Sequence, residues 1–512
     1  MTRNLTAGPP TRLIILFTLP LLVGNVFQQL YQFTDAAVVG RLVGLDGLAS
    51  VGATNGLVFL LIGFTWGSSA GLAIPTARAF GAGDLVAMRR FVAAGAYVSA
   101  GLAAAIMITG TLAARPLLRL MDTPPEIMDG AVSFITLTCL GGGAMVAFNF
   151  LSSTIRALGD SRTPLVFLVL SCTLNAGLSF AFVGGLHLGV RGAALATVVA
   201  QLVSVVLCLV LIARRMPELH LTRDDWRPRR HEMAEPVRIG LPMGFQMSVI
   251  AIGTLVLQYG INGLGAESVA AFTAAMRVDQ IAAAPLNSFG IAMATFVAQN
   301  RGARQWRRIR AGVVRISGVS VSVAVVVGLT LIAVSGPIAE LFVGPGQAGV
   351  VAMVRQYFLV NGGLYAILAM VFILRNTVQG LGLSAVPTVS GFLELSMRAT
   401  AGLVLVHHLG FLGVCLAAPL AWVGSVIPTS VAWTVQRRRL LEEERLAASA
   451  PAPAGRARAL APEPDRPAGS LADNLADELP DGLPDELARC EELGTEAELE
   501  AVAGAVPLAT SA

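Results

Sequence analysis

The sequence predicts an all-α polytopic membrane protein with twelve transmembrane helices in two pseudo-symmetric six-helix bundles, and three observations predict it. First, 55% of the 512 residues are hydrophobic and 13% charged, with a mean hydropathy of +0.71, too apolar for a water-soluble globule. Second, apolar runs of about 18 or more residues recur between charged or Pro/Gly-rich breaks, each able to cross about 30 Å of hydrocarbon at about 1.5 Å per residue. Third, short motifs return at nearly constant spacing. Leu19-Pro20 reappears as Leu241-Pro242, Gly44–Val51 loosely as Gly265–Phe272, and Arg156–Pro164 as Gln379–Pro387, offsets of 222, 221 and 223 residues. Repeats of one orientation form bundles related by an axis along the membrane normal, with binding sites between them near mid-depth.

The apolar runs place spans at 13–37, 48–74, 91–113, 127–155, 164–184 and 191–213, then at 237–262, 268–298, 311–333, 350–376, 386–406 and 411–435. Residues 1–213 thus form an amino-terminal lobe, 214–236 a hydrophilic inter-lobe linker, 237–436 a carboxy-terminal lobe and 437–512 a tail. The tail holds 16 of the 32 acidic residues and is Pro/Ala-rich, a composition that reads as disordered. The start has no small-residue cleavage site after a short apolar core, so the first helix is expected to be retained.

Every basic side chain is Arg; the chain has no Lys. Residues 1–436 carry 28 Arg against 16 acids, concentrated in alternate loops: Arg78, Arg89 and Arg90; Arg156 and Arg162; seven Arg from 214 to 238; and five from 301 to 310. Positive charge is retained in cytoplasmic loops, so the expectation is a bacterial-type plasma membrane protein with both termini in the cytoplasm. This charge needs orientation rather than nucleic acid as its explanation. Without Lys there is no Walker A motif, and no HExxH, Ser/His/Asp arrangement or zinc-type Cys spacing occurs. Neither catalysis nor a resident cofactor is expected, and Cys139, Cys172, Cys208 and Cys415 read as small buried hydrophobes.

One carboxylate stands apart. Leu13 to Phe33 carry no charge, yet Asp35 follows directly, beside Gln28, Gln32 and Thr34. An Asp at a helix centre costs about 2.5–3.5 kcal/mol on insertion scales, less towards the ends, and such groups usually face a protein interior or aqueous cavity; a helix-end Asp reaching the headgroups is the plainer alternative. Desolvation raises a carboxyl from about 3.9 towards neutrality, which makes proton binding feasible there. Further along, Glu394 and Arg398 lie four apart and are expected to form a structural ion pair. Arg277 and Asp279 are similar, with Asp279 a candidate for attracting a cationic ligand. His407 and His408 read as a solvated outer pair, and Met243, Met247, Met276 and Met293 as adaptable apolar surface. Pro20 and Pro242 suit either a bend that moves or a static kink.

The segments Gln28–Ala49, Arg156–Pro164, Phe296–Ala303 and Gln379–Gly382 resemble the multidrug and toxic compound extrusion (MATE) family, over about residues 10–436. The resemblance implies a MATE-like fold and a secondary active multidrug exporter, a cation/drug antiporter whose lobes give alternating access to a central cleft. Its DinF-like branch places a proton or cation site in the amino-terminal lobe, which falls here on Asp35, Asn175, Ser179 and Thr197. Ser179 stands where that branch has a second acid, so a two-carboxylate site is absent. With one carboxylate, protonation relieves the buried charge more simply than metal capture, and H+ is preferred over Na+ as coupling ion, although the oxygens around Asp35 would also suit Na+. The NorM-like branch has acids in the other lobe at positions that fall near Ile250 and Leu368, both apolar. Gln28, Gln32 and Asp279 are the candidate cleft residues. The implied partners are small amphipathic or cationic drugs and the lipid bilayer, with a functional monomer. The alternative is a flippase for a lipid-linked precursor in the same superfamily, which calls for a more cationic cleft and often further helices.

Overall fold

The computed structural model describes residues 4–121, 123–344 and 347–449, apart from a few side chains within helices, those of Gln32 and Asp35 among them. The tail expected at 437–512 therefore lies outside the described residues beyond Ser449, Cys490 with it. The first half of the chain runs α1 (Pro10–Leu42), α2 (Leu45–Gly81), α3 (Leu85–Leu120), α4 (Pro125–Leu140), α5 (Gly142–Ala157), α6 (Arg162–Ser179) and α7 (Val190–Arg215). The second runs α8 (Arg230–Asn262), α9 (Ala266–Gly302), α10 (Trp306–Val343), α11 (Ala348–Gly363), α12 (Tyr365–Gly380), α13 (Ala385–Thr400), the short α14 (Val406–Leu409) and α15 (Phe411–Ser449). Among the described residues ten helices are long and apolar enough to cross a membrane, or up to twelve if each bent pair is one span.

The local reasons lie in the sequence. Pro10 opens α1 at a position whose N–H has no helical partner, and Asp84 caps α3 by accepting from the Ala87 N–H at 2.9 Å. Gly44 and Gly265, 221 residues apart, take φ of 92° and 93° to turn α1 into α2 and α8 into α9.

The spans expected to be continuous at 127–155 and 350–376 are each broken, α4 from α5 by 45° and α11 from α12 by 48°. The breaks fall at Gly141–Gly143 and Gly362–Leu364, where missing side chains weaken the helix and let neighbours approach; a Cβ on Gly142 would stand 2.9 Å from the Ile106 side chain. Hydropathy runs straight through both breaks. The ends of α6 and α13 likewise widen into π turns, Phe180–Gly185 and Ala401–Leu405, 221 residues apart.

Helix α8 lies along α2 with small residues at the seam. Gly67 and Gly71 face Gly240 and Gly244 at four-residue spacing on both helices, and a Cβ on Gly71 would stand 2.6 Å from the Gly240 Cα. Where lipid offers no hydrophobic drive, such close packing holds helices together. Helix α1 meets α9 differently, through Asn25 Nδ2 donating to Ser288 Oγ at 2.9 Å.

Helix α15 continues past the tail boundary expected at 437. Leu440 is buried in an apolar cluster with Leu5, Ile14, Phe17 and Ile309, and Glu444 pairs with Arg310, so tertiary packing keeps helical a stretch whose composition had turned polar.

Candidate functional site

Three of the polar side chains on α1, α6 and α7 converge within the first half. Asn175 on α6 donates from Nδ2 to Thr197 Oγ1 on α7 at 3.1 Å, and the Tyr31 hydroxyl on α1 donates to the same oxygen at 3.0 Å. Thr197 in turn donates to the Ala193 carbonyl at 3.2 Å, one turn back on its own helix. Asn175 is 1% exposed, and its Oδ1 is buried without a hydrogen-bond partner among the described residues. Ser179, also fully buried, follows Asn175 by one turn. A buried amide oxygen that accepts nothing is costly unless some group or ion meets it in another state.

Asp35 lies on α1 at i+4 from Tyr31 and so shares its helix face by register; its side chain, like that of Gln32, is outside the described residues. Gln28 is half-buried on the same helix. Tyr31 is a residue that sequence reasoning missed. Its position one turn before Asp35 was visible, but its bond to Thr197 depends on how α1 packs against α7.

The second half holds a separate buried network. Glu394 on α13 lies 2.7 Å from Arg375 on α12 and 3.4 Å from Arg398 one turn along, and Arg375 also donates to Ser425 on α15 at 2.6 Å. Arg375 and Glu394 side chains are each 6% exposed. Arg375 is thus the nearer partner, unforeseen because it sits 19 residues away on another helix. Asp279 on α9 accepts from the Tyr365 hydroxyl on α12 at 2.6 Å. Leu368 is buried and Ile250 half-buried, and both are apolar.

Between the halves, α2, α5, α8, α9 and α12 enclose a cavity of about 90 Å³. Trp66, Met243, Met247 and Phe372 supply much of its wall, with Arg156 and Arg375 as its charged groups. Gln28 and Asp279 do not line it. Among the described residues no three His, Cys, Asp or Glu side chains cluster as metal ligands; Cys139, Cys208 and Cys415 are free thiols, and the Cys172 Sγ donates to the Phe27 carbonyl at 3.9 Å.

A helical chain of this span number, repeated in its breaks and π turns, with polar clusters held inside each half, has the architecture of a polytopic membrane protein. The fold matches a solved MATE structure in complex with MaL6, with a TM-score of 0.79 and 22% identity, covering 87% of this chain and 100% of that one. Residues 20–181 and 242–400 match the MatE family, and the chain belongs to that family of transporters; it is not an enzyme. Among curated relatives, it is 28% identical over 307 residues to Probable multidrug resistance protein YpnP of Bacillus subtilis (strain 168), covering 60% of this chain and 68% of the relative. It is 26% identical over 433 residues to Probable multidrug resistance protein YoeA of the same organism, covering 81% of this chain and 92% of that protein.

Proposed function

We propose that this MATE-family transporter exports small amphipathic drugs, cationic ones among them, by secondary active antiport against a cation, with Asp35 as the coupling carboxylate and H+ preferred over Na+. In this reading residues 1–213 and 237–436 act as two lobes that alternately expose the space between them, both termini lie in the cytoplasm of a bacterial-type plasma membrane, and the monomer is the working unit. Asp279 contributes by drawing cationic drugs towards the cleft.

The observation that carries the reading is the buried Asn175 Oδ1, unpartnered among the described residues, beside Thr197, on the two helices that pack against α1, which carries Asp35. Protonation of a single acid at such a place needs no second carboxylate, whereas dehydrating Na+ is better met by several anionic oxygens, and Ser179 supplies only a hydroxyl. The same restriction to one acid deep within the spans of the first lobe, with Ile250 and Leu368 apolar in the second, supports the DinF-like branch. One charge moved inward contributes about 2.3 kcal/mol per 100 mV, enough to bias a lobe equilibrium.

The test is dye export from proteoliposomes with H+ and Na+ gradients imposed separately. Wild-type protein should respond chiefly to the pH gradient, and Asp35→Asn should fold normally but exchange at background rate. Wild-type exchange by that variant would remove Asp35 from the mechanism.

A further inference from the structure

Where α2 gives way to α3 and α9 to α10, the bundle end holds a second cavity, of about 710 Å³, walled by Arg78, Arg90, Arg229, Arg301 and Arg304. Two of these are matched: Arg78 to Glu235 at 2.6 Å and Arg90 to Glu232 at 3.3 Å. The remaining wall acid, Asp84, is engaged as the α3 cap. Arg229, Arg301 and Arg304 form no ion pair among the described residues. Arg301 feels the repulsion of Arg78 as well as the pull of Glu235 and Glu443.

The internal repeat shows what this cavity is. On the opposite side of the pseudo-axis, Leu5 fills the corresponding space: its N–H donates to Gln299 Oε1 at 2.9 Å, and its carbonyl accepts from Arg308 at 3.1 Å and Asn300 at 3.3 Å. Shifted by 221 residues, the clasp residues 299, 300 and 308 become Arg78, Ala79 and Ala87, and all three line the open cavity. The counterpart of Leu5, offset by 222, is Arg227, which is exposed. One site is thus closed by a backbone carbonyl held by a guanidinium. Its twin stays open and carries more guanidiniums, which suits a stronger oxygen acceptor.

Arg304 adds a separate indication. It holds φ at 54°, where the equivalent residue of the first repeat is Gly83 at 74°. A long side chain is kept in a conformation glycine adopts freely, and such outliers point to use of the side chain.

We propose that this cavity binds a phosphate ester. Guanidiniums grip phosphate through paired N–H donors, while Val86, Phe91 and Trp306 offer apolar wall to the group it is attached to. The phosphate comes from a phospholipid headgroup or from a soluble phosphorylated molecule. Its ligands span both halves, Arg78 on α2 and Arg90 on α3 with the others on or beside α8, α9 and α10, so occupancy braces the conformation seen here.

The experiment is a thermal-unfolding titration of the detergent-solubilised full-length protein at constant ionic strength, with inorganic phosphate and with short-chain phosphatidylglycerol against phosphatidylcholine. Wild type should be stabilised saturably. Combined Arg229→Gln, Arg301→Gln and Arg304→Gln should weaken that response by about tenfold or more, whereas Arg437→Gln, Arg438→Gln and Arg439→Gln, an equal loss of charge away from the cavity, should not. A response to phosphatidylglycerol alone identifies a lipid source, and one to both probes the phosphate group itself. Single Arg304→Gly removes one guanidinium while relieving the backbone, so it should raise the ligand-free midpoint and still weaken the phosphate response, a readout available if the triple variant does not fold. No stabilisation by either probe, or equal loss in both triple variants, overturns the proposal.

Discussion

Gly81 and Gly302 are reciprocal: Gly81, ending α2, lies on the backbone of Gln299, and Gly302, ending α9, lies on the backbone of Arg78. Both relationships carry one offset, since 302 − 81 and 299 − 78 are each 221, so the crossing sits on the pseudo-two-fold axis. A Cβ on either glycine would overlap a carbonyl oxygen of the facing helix, which cannot turn aside as a side chain would.

Alanine at either position should therefore force the helix ends apart. The expected cost is about 1–3 kcal/mol, the range for overpacking, read as a lower midpoint in thermal unfolding of the solubilised protein. Gly101→Ala is the control, since nothing lies within 4 Å of its added carbon; it should be neutral or slightly stabilising. Equal midpoints for Gly302→Ala and Gly101→Ala would mean the crossing is looser than it stands here.

Removing Glu394 should be more damaging than removing Arg398. Glu394→Gln leaves the Arg375 guanidinium, 6% exposed, with Ser425 but no counter-charge, and breaking a buried pair from one side costs about 3–5 kcal/mol. Arg398 is farther from the carboxylate, and Arg398→Gln leaves Glu394 with Arg375, so it should cost less. Restoring neutrality with Glu394→Gln plus Arg375→Met should recover part of the first loss. Chemical denaturation of the three variants separates these outcomes.

The helix order was legible because membrane spans are set by length and apolarity, properties of the local chain. The repeat was legible too, from Leu19-Pro20 and Leu241-Pro242, and its structural expression extends to Gly81 with Gly302 and to both π turns. What hydropathy could not carry was direction: the bends at Gly141 and Gly363 interrupt no apolar run, and the triple glycine reads equally as close packing. The extension of α15 depends on Leu440 finding Ile14 and Phe17, hundreds of residues away in sequence. The same limit applies to the polar clusters. Asn175 and Thr197 could be named in advance from motif resemblance, but Tyr31 and Arg375 enter through packing between helices.

The linker between α7 and α8 should open in acid. Burial pushes the Asp225 carboxyl up, but two bonds from Thr222, both 2.8 Å, and the charges of Arg89 and Arg90 outweigh it and hold the group below 3.8. A depressed carboxylate stabilises the folded form fully above its unfolded value of about 3.9 and loses that contribution as pH falls through the lower folded value. Amide protection at residues 220–229, corrected for the intrinsic pH dependence of exchange, should accordingly fall below about pH 4. Asp225→Asn should exchange fast already at neutral pH, and a linker equally protected at both pH values in wild type would show that this carboxylate does not hold it.

Thr197 should matter to coupling through its oxygen rather than its volume. Thr197→Val keeps the shape but leaves the Asn175 amide and the Tyr31 hydroxyl without their shared acceptor, a loss of about 1–3 kcal/mol for a buried unsatisfied group. Dye/cation exchange should fall about tenfold or more while the chain stays folded, and Tyr31→Phe, which removes one donor and orphans nothing at Thr197, should fall less. Ser179→Asp tests the ion itself. A second carboxylate one turn from Asn175 adds a charged oxygen suited to a hard cation, and like-charge repulsion with Asp35 would favour holding a cation between them. Exchange by this variant should become more responsive to a Na+ gradient relative to a pH gradient. An unchanged ratio in a folded, active Ser179→Asp protein would show that carboxylate number does not select the ion at this site.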